Sequence, residues 1–153
     1  MTTRVKGRFT FRFAAVCFAL SAVFELPSLQ DEAVLFDHIV GGLPALAYHL
    51  VYAVLFTVLA HGLWYARRSG YYALWVASVI YTVDRLQMLF VGNALARSLD
   101  QQIAEHPEVL QIISAADLLQ ILTATTLAFL IGWWGFVGYA WYRRNYFGIG
   151  ISP

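Results

Sequence analysis

The sequence predicts an all-α integral membrane protein in which four transmembrane helices form one bundle. Hydrophobic residues make up 60% of the 153 residues and charged residues only 12%, with a mean hydropathy of +0.64. A soluble domain carries about 25% charged residues. The apolar residues also fall into four runs, each long enough to cross a hydrocarbon core of ~30 Å. We therefore expect residues 1–153 to form a single transmembrane domain that has the lipid bilayer as its solvent.

Prolines and polar connections delimit the four spans, which are expected at about 9–26, 39–65, 71–96 and 109–142. Pro27 should end the first span, because proline cannot continue a helix, while Pro44 lies in the first turns of the second, where it is tolerated. Pro107 breaks the chain before the fourth span. That span would be roughly 50 Å long, so it must tilt or protrude. A cleaved signal peptide ending near Ser21 remains an alternative for the first span.

Charge is distributed unequally between the two predicted sides of the membrane. Eight of the ten basic residues lie at the amino end, in the connection at 67–70 and at the carboxyl end: Arg4, Lys6, Arg8, Arg12, Arg67, Arg68, Arg143 and Arg144. Seven of the nine acids lie in the other connections and at the end of span one: Glu25, Asp31, Glu32, Asp37, Asp100, Glu105 and Glu108. The positive-inside rule then predicts cytoplasmic termini, and we expect a bacterial inner (plasma) membrane. The five tryptophans, near the predicted inner ends, are expected to form an aromatic belt.

Four charged residues remain once these groups are set aside: Asp84, Arg85, Arg97 and Asp117. Asp84 and Arg85 lie inside span three, where a charge costs about 2.5–3.5 kcal/mol on insertion scales. They should lie roughly 16–18 Å from the inner edge, close to mid-membrane. We therefore expect both to face the bundle interior and to have partners on neighbouring helices.

Depth along the helices suggests those partners. Three polar side chains on spans one and two should lie at similar heights, roughly 18–22 Å from the inner edge: Glu25, His49 and Tyr52. Asp117 should lie near 30 Å and is too far out. Because Asp84 and Arg85 are about 100° apart on a helix, they are not expected to face each other. The sequence therefore predicts that Arg85 reaches Glu25 and that Asp84 meets His49 or Tyr52.

These residues predict an outward-facing polar pocket in the bundle, with Gln120 and Asn93 in the same layer. The candidate ligand-binding residues are Glu25, His49, Tyr52, Asp84, Arg85, Gln87, Asp117 and Gln120. The pocket would bind or translocate a small ligand or ion, or take a lipophilic molecule from the outer leaflet. Alternatively, the charges only fix helix register, and the chain is a non-catalytic accessory subunit of a larger membrane complex. A homo-oligomer is compatible with both interpretations.

Several function classes are disfavoured. A net charge of +1 gives no electrostatic basis for binding nucleic acid. A bis-histidine haem needs ligands on facing helices, whereas His49 and His61 share one span at different depths. The single cysteine, Cys17, excludes an internal disulfide, and no cluster has metal-ligand spacing. We therefore assign no cofactor, no metal and no catalytic residue.

Two short motifs give a second alternative. Asp84-Arg85 and Ala116-Asp117, on the third and fourth spans, resemble the Asp-Arg and Ala-Asp pairs of lipoprotein signal peptidases, in similar order. The resemblance implies an intramembrane hydrolase in which two carboxylates share a proton. It covers only these dipeptides. In the first motif, Tyr81 stands where that family has an asparagine three residues before the aspartate. In the second motif, Ser114 and Ala115 stand where that family has an asparagine before Ala-Asp. The predicted depths also separate the two aspartates by more than ~10 Å.

Overall fold

Four helices long and apolar enough to cross a membrane are found in the computed structural model, which describes residues 7–36, 38–105, 110 and 112–150. They are α1 (Arg8–Phe24), α2 (Gly42–Trp64), α3 (Arg68–Phe90) and α5 (Ala115–Tyr142). A shorter helix, α4 (Ala94–Glu105), precedes α5, and an antiparallel hairpin of β1 (Ala33–Leu35) and β2 (His38–Val40) precedes α2. Two 3-10 helices span Pro27–Gln30 and Arg144–Phe147. The prediction of a predominantly helical bundle with four helices able to cross a membrane is confirmed.

The helix boundaries differ from the predicted spans, and local chemistry explains the differences. The third span ends at Phe90 rather than near residue 96, because Gly92 turns the chain with φ +55° before α4. The fourth begins at Ala115 rather than near 109. Ser114 is its N-cap and accepts a hydrogen bond of 3.2 Å from the backbone N–H of Asp117. Several residues used in the predictions lie outside the described residues: Arg4, Lys6, Asp37, His106, Pro107, Glu108 and Val109.

The hairpin was not predicted, because residues 28–38 have the composition of a polar connection. Its strands have three residues each and pair Ala33 with Val40 and Leu35 with His38. Strands this short do not show an alternation of apolar and polar residues that a sequence pattern can detect. The hairpin lies beside the end of α3 and covers that end of the bundle.

A tight turn joins α2 to α3. Ala66 adopts φ +55°, and the backbone N–H of Arg67 donates to the carbonyl of Gly62 at 2.9 Å. The backbones of Gly62 and Gly70 touch: a Cβ on Gly70 would lie 2.6 Å from the Cα of Gly62. Only residues without a Cβ allow the two helices to approach this closely.

The packed core lies at the end of the bundle where α1 and α3 begin and α2 and α5 end. We call this the basic end, because the described arginines there are Arg8, Arg12, Arg67, Arg68, Arg143 and Arg144. Phe11, Leu63 and Leu74 are fully buried within the core. Phe147 of the C-terminal 3-10 helix inserts among them, with its ring centroid 4.9 Å from that of Phe11. The opposite end, where α1 and α3 finish, is called the acidic end.

Helix α5 joins the bundle through α3. Trp133 donates a hydrogen bond to Ser78 at 2.9 Å and Trp134 donates to Thr82 at 3.0 Å. The indoles of these two tryptophans therefore hold two helices together, and their position in an aromatic belt stays a prediction. An apolar groove of about 590 Å³ remains between α1 and α5, lined by Cys17 and Gly132 among others.

Candidate functional site

Asp84 is the centre of a polar cluster near the acidic end. Its residue is only 6% exposed, and its Oδ1 accepts hydrogen bonds from Tyr48 of α2 and from Gln87, both at 3.1 Å. Its Oδ2 lies 3.4 Å from Nη2 of Arg85. A buried carboxylate needs such partners, since an unpaired buried charge is strongly unfavourable. The expectation that Asp84 is buried and partnered is therefore met.

Arg85 pairs with Asp84, so the prediction that these neighbours cannot face each other is wrong. The long arginine stem folds along α3. Its guanidinium lies 5.1 Å from the centroid of the Tyr81 ring, and Nη1 donates to the sulfur of Met88 at 3.5 Å. The predicted reach from Arg85 to Glu25 is also wrong, because Glu25 has a different partner.

Glu25 pairs with His49. The carboxylate oxygen lies 2.9 Å from Nδ1 of the imidazole, and the pair joins the end of α1 to the second turn of α2. His49 therefore does not meet Asp84 as predicted. The partner of Asp84 on α2 is Tyr48, one turn before the predicted Tyr52, whose buried ring packs 5.0 Å from that of Tyr48.

Gln87 connects the cluster to the hairpin. Its side-chain carbonyl accepts a hydrogen bond of 2.6 Å from the backbone N–H of Phe36. Its amide nitrogen donates to Asp84 and, at 3.4 Å, to the carbonyl of Val34. One side chain thus couples a buried charge to the segment that covers it.

A cavity of about 580 Å³ lies beside this cluster at the acidic end. Its polar lining comes from the segment before β1, from α2 and α3, and from α4, and includes Asp31, Glu32, Tyr48, His49, Arg85 and Ser98. The side chain of Arg85 is 32% exposed, so its guanidinium can meet both Asp84 and a bound molecule. Asp84, Glu25 and Gln87 do not line the cavity but hold residues that do.

The cluster lies closer to the acidic end than predicted. Asp84 is 16 residues after Arg68 and six before Phe90, which places it ~24 Å from one end of α3 and ~9 Å from the other. This follows from the bounds of α3, which starts at Arg68 rather than near 71 and ends at Phe90 rather than near 96. The hairpin therefore reaches the cluster directly.

Of the eight predicted site residues, His49 and Arg85 line the cavity, and two others belong neither to its lining nor to the cluster around Asp84. Asp117 lies exposed in the first turn of α5, where Ser114 donates to its Oδ2 at 2.6 Å in a helix cap. Gln120 is exposed one turn further along the same helix. Asp84 and Asp117 each have their own partners, so the structure does not bring two carboxylates together.

Sequence reasoning missed Tyr48, Asp31, Glu32 and Ser98 as lining residues. Tyr48 could have been found, because it precedes Tyr52 by one helical turn and falls on the same face. Asp31 ends a 3-10 helix, Glu32 lies in the loop that follows it, and Ser98 lies on α4. These segments were predicted only as polar connections or as part of a span, so their side chains could not be placed. Among the residues that the structure describes, no three His, Cys, Asp or Glu side chains are grouped so as to hold a metal ion.

Comparison of the chain with protein-family models, with curated proteins and with solved structures found no match.

Proposed function

We propose that the chain binds a small polar ligand in the cavity at its acidic end. The observation that supports this most directly is the cavity of about 580 Å³ with the partly exposed Arg85 in its wall. Ligand sites in proteins are concave, with volumes of ≈ 300–1,000 Å³ and a few convergent polar groups. The buried Asp84 orients Arg85, and Gln87 ties Asp84 to the hairpin beside the cavity.

The chemistry of the lining favours a ligand that carries charges of both signs. The guanidinium of Arg85 suits a carboxylate or phosphate group. Asp31 and Glu32, on the segment before β1, supply carboxylates for a cationic group. His49 also lines the cavity and is held by Glu25. A small zwitterion matches this lining better than a purely apolar molecule.

Binding is better supported than passage through the bundle. Toward the basic end, the interior consists of packed apolar side chains, and Leu59, Leu63 and Leu74 are fully buried. A polar ligand has no hydrogen-bonding partners there and would leave its charges unpaired. Translocation would require a second arrangement of the helices.

The charge distribution supports an orientation for this site. We infer that both termini and the basic end face the cytoplasm, in the inner (plasma) membrane of a bacterium, and that the cavity opens on the outer side. The ligand would then be captured from outside the cell.

Arg85→Gln tests the proposal in the purified full-length chain. We expect small zwitterions such as glycine betaine and free amino acids to raise the melting temperature of the wild type and not that of this variant. The variant should also lose roughly 3 kcal/mol of stability, because Asp84 would remain buried without its counter-ion. Calorimetric titration and thermal unfolding in detergent measure both effects.

Asp117→Asn is the matched control, because it removes one charge from an exposed helix cap. It should cost less than about 1 kcal/mol and leave zwitterion binding intact. If Arg85→Gln and Asp117→Asn had equal effects on stability and on zwitterion binding, the proposed role of Arg85 would be contradicted. Absence of binding by every zwitterion tested would contradict the ligand class.

A second candidate is an accessory subunit of a larger membrane complex. It is favoured by the apolar groove between α1 and α5 and by three glycines of α5, Gly132, Gly135 and Gly138. A Cβ added at any of the three would meet nothing within 4 Å. Small residues on an unpacked helix face are typical of helix–helix association in membranes. Native mass spectrometry of the protein extracted from its own membrane distinguishes the candidates: a retained small ligand favours the first, a stable hetero-complex the second.

A further inference from the structure

We propose that the basic end binds the phosphate of an anionic phospholipid headgroup between Arg68 and Arg144. A cavity of about 360 Å³ at this end is lined by both arginines together with Tyr72, Gly148 and Ile149. It lies at the opposite end of the bundle from the candidate ligand cavity, and the inference does not depend on that function.

Packing of the C-terminal 3-10 helix fixes the distance between the two arginines. Phe147 is buried, with its ring 5.6 Å from that of Tyr71 of α3. Tyr146 donates a hydrogen bond of 3.0 Å to the carbonyl of Leu63 in α2. The segment that carries Arg144 is therefore anchored to α3, which carries Arg68, and to α2, so the site needs little ordering when an anion binds.

The turn after this helix brings the backbone over Arg68. Gly148 has φ +67°, and a Cβ placed on it would lie 3.9 Å from Nε of Arg68. The N–H groups of Gly148 and Ile149 already donate to Asn145 and Arg144 carbonyls, at 3.1 and 3.2 Å. The donors left for an anion are therefore the guanidinium groups.

No side-chain carboxylate compensates the charge of this site among the residues that the structure describes. No acid occurs between residues 38 and 83 or after residue 117 in the sequence. Neither Arg68 nor Arg144 forms an ion pair with any residue that the structure describes. Two arginines without carboxylate partners present the forked donors that match phosphate oxygens.

The position of the site identifies the source of the phosphate. Arg68 is the first residue of α3 and Arg144 follows the end of α5 by two residues, so both lie where membrane helices meet the headgroups. Tyr72, which is 60% exposed, adds an aromatic ring at the same level. Free phosphate shares the chemistry, but a lipid can also lay its acyl chains along the apolar surfaces of α3 and α5.

The test compares two pairs of substitutions that remove the same charge. Full-length protein in non-ionic detergent is titrated with phosphatidylglycerol or phosphatidylcholine, and lipid adducts are counted by native mass spectrometry. Arg68→Gln/Arg144→Gln should weaken phosphatidylglycerol binding about thirtyfold, since each of the two arginines contributes about 1 kcal/mol. Arg8→Gln/Arg67→Gln, which alters exposed arginines outside the cavity, should change it less than about twofold. Phosphatidylcholine binding should stay the same in both.

Equal losses in the two pairs would overturn the inference, since a diffuse field would then explain the binding. The single variant Arg144→Gln, with its helicity checked by circular dichroism, keeps the test valid if the double variant does not fold. It should weaken binding about fivefold, and Arg8→Gln should not. Inorganic phosphate at millimolar concentration should leave the lipid adducts unchanged. Displacement of the lipid by inorganic phosphate would overturn the assignment to a headgroup.

Discussion

The pairing of buried charges is the feature that the sequence predicted least completely at the scale of single residues. Sequence position and hydropathy were enough to predict that Asp84 is buried and that Arg85 and His49 lie in one polar region. The pairings themselves differed, because a helical depth count is uncertain by about one turn, ~5 Å, and because Arg85 folds along its own helix to reach Asp84. Neither the rotamer of a long side chain nor the choice between Tyr48 and Tyr52 can be read from spacing alone.

Gln87→Ala should loosen the hairpin without unfolding the bundle. The substitution removes the acceptor for the N–H of Phe36 and the donor to the carbonyl of Val34. The loss of these bonds should cost about 1–2 kcal/mol locally. Hydrogen exchange of the amides at 33–36 and 38–40 should therefore become roughly tenfold faster.

Gln120→Ala is the control, because this glutamine is exposed on α5. It should leave the exchange rates of the hairpin unchanged. If Gln87→Ala also left them unchanged, the hairpin would be held by other contacts.

At the scale of elements, the long helices were predictable and the small ones were not. Runs of about 20 apolar residues identify α1, α2, α3 and α5 directly. The boundaries depended on features with weaker signals, such as the Gly92 turn and the Ser114 cap. The hairpin is too short for a periodic pattern. Helix α4 follows α3 closely, so its first residues were assigned to the third span and the rest to a polar connection.

Gly62→Ala or Gly70→Ala should destabilise the junction of α2 and α3. A Cβ on Gly62 would lie 2.7 Å from the backbone nitrogen of Gly70, and backbone cannot rotate away as a side chain can. Each substitution should cost about 1–3 kcal/mol through overpacking. Unfolding in a denaturing detergent titration measures the loss.

Gly135→Ala provides the comparison within a transmembrane helix. No atom lies within 4 Å of the Cβ that it would add, so stability should be unchanged or slightly increased by the better helix propensity of alanine. Equal effects at all three glycines would show that helix propensity, and not the close approach, governs the response.

At the scale of the whole molecule, the sequence predicted one bundle with an uneven charge distribution, and the structure assembles the segments accordingly. The beginnings of α1 and α3 meet the C-terminal 3-10 helix at one end, and Glu25, His49 and Asp84 lie toward the other. Apolar length predicts the spans, and their even number predicts that both termini lie on one side. The cavity at the acidic end could be anticipated only as a region, because loops and a hairpin supply part of its wall.

Cysteine labelling tests the proposed orientation. In a Cys17→Ser background, Ile39→Cys in the hairpin should react with a membrane-impermeant maleimide on intact cells. Ser69→Cys at the basic end should react only after the membrane is permeabilised, because the positive-inside rule assigns it to the cytoplasm. The reverse pattern would show that the orientation in the membrane is opposite to the one proposed. Labelling of both cysteines in intact cells would contradict the predicted crossing of α2.

The insertion of Phe147 beside Phe11 has a consequence for biosynthesis. These two rings belong to opposite ends of the described chain and share one core with Tyr71. When α1 enters the bilayer during translation, the partners of Phe11 on the C-terminal 3-10 helix have not yet been synthesised. Helix insertion and completion of the basic-end core are therefore separated in time, and the nascent bundle keeps an aromatic gap at that end until the ribosome has delivered the segment after α5.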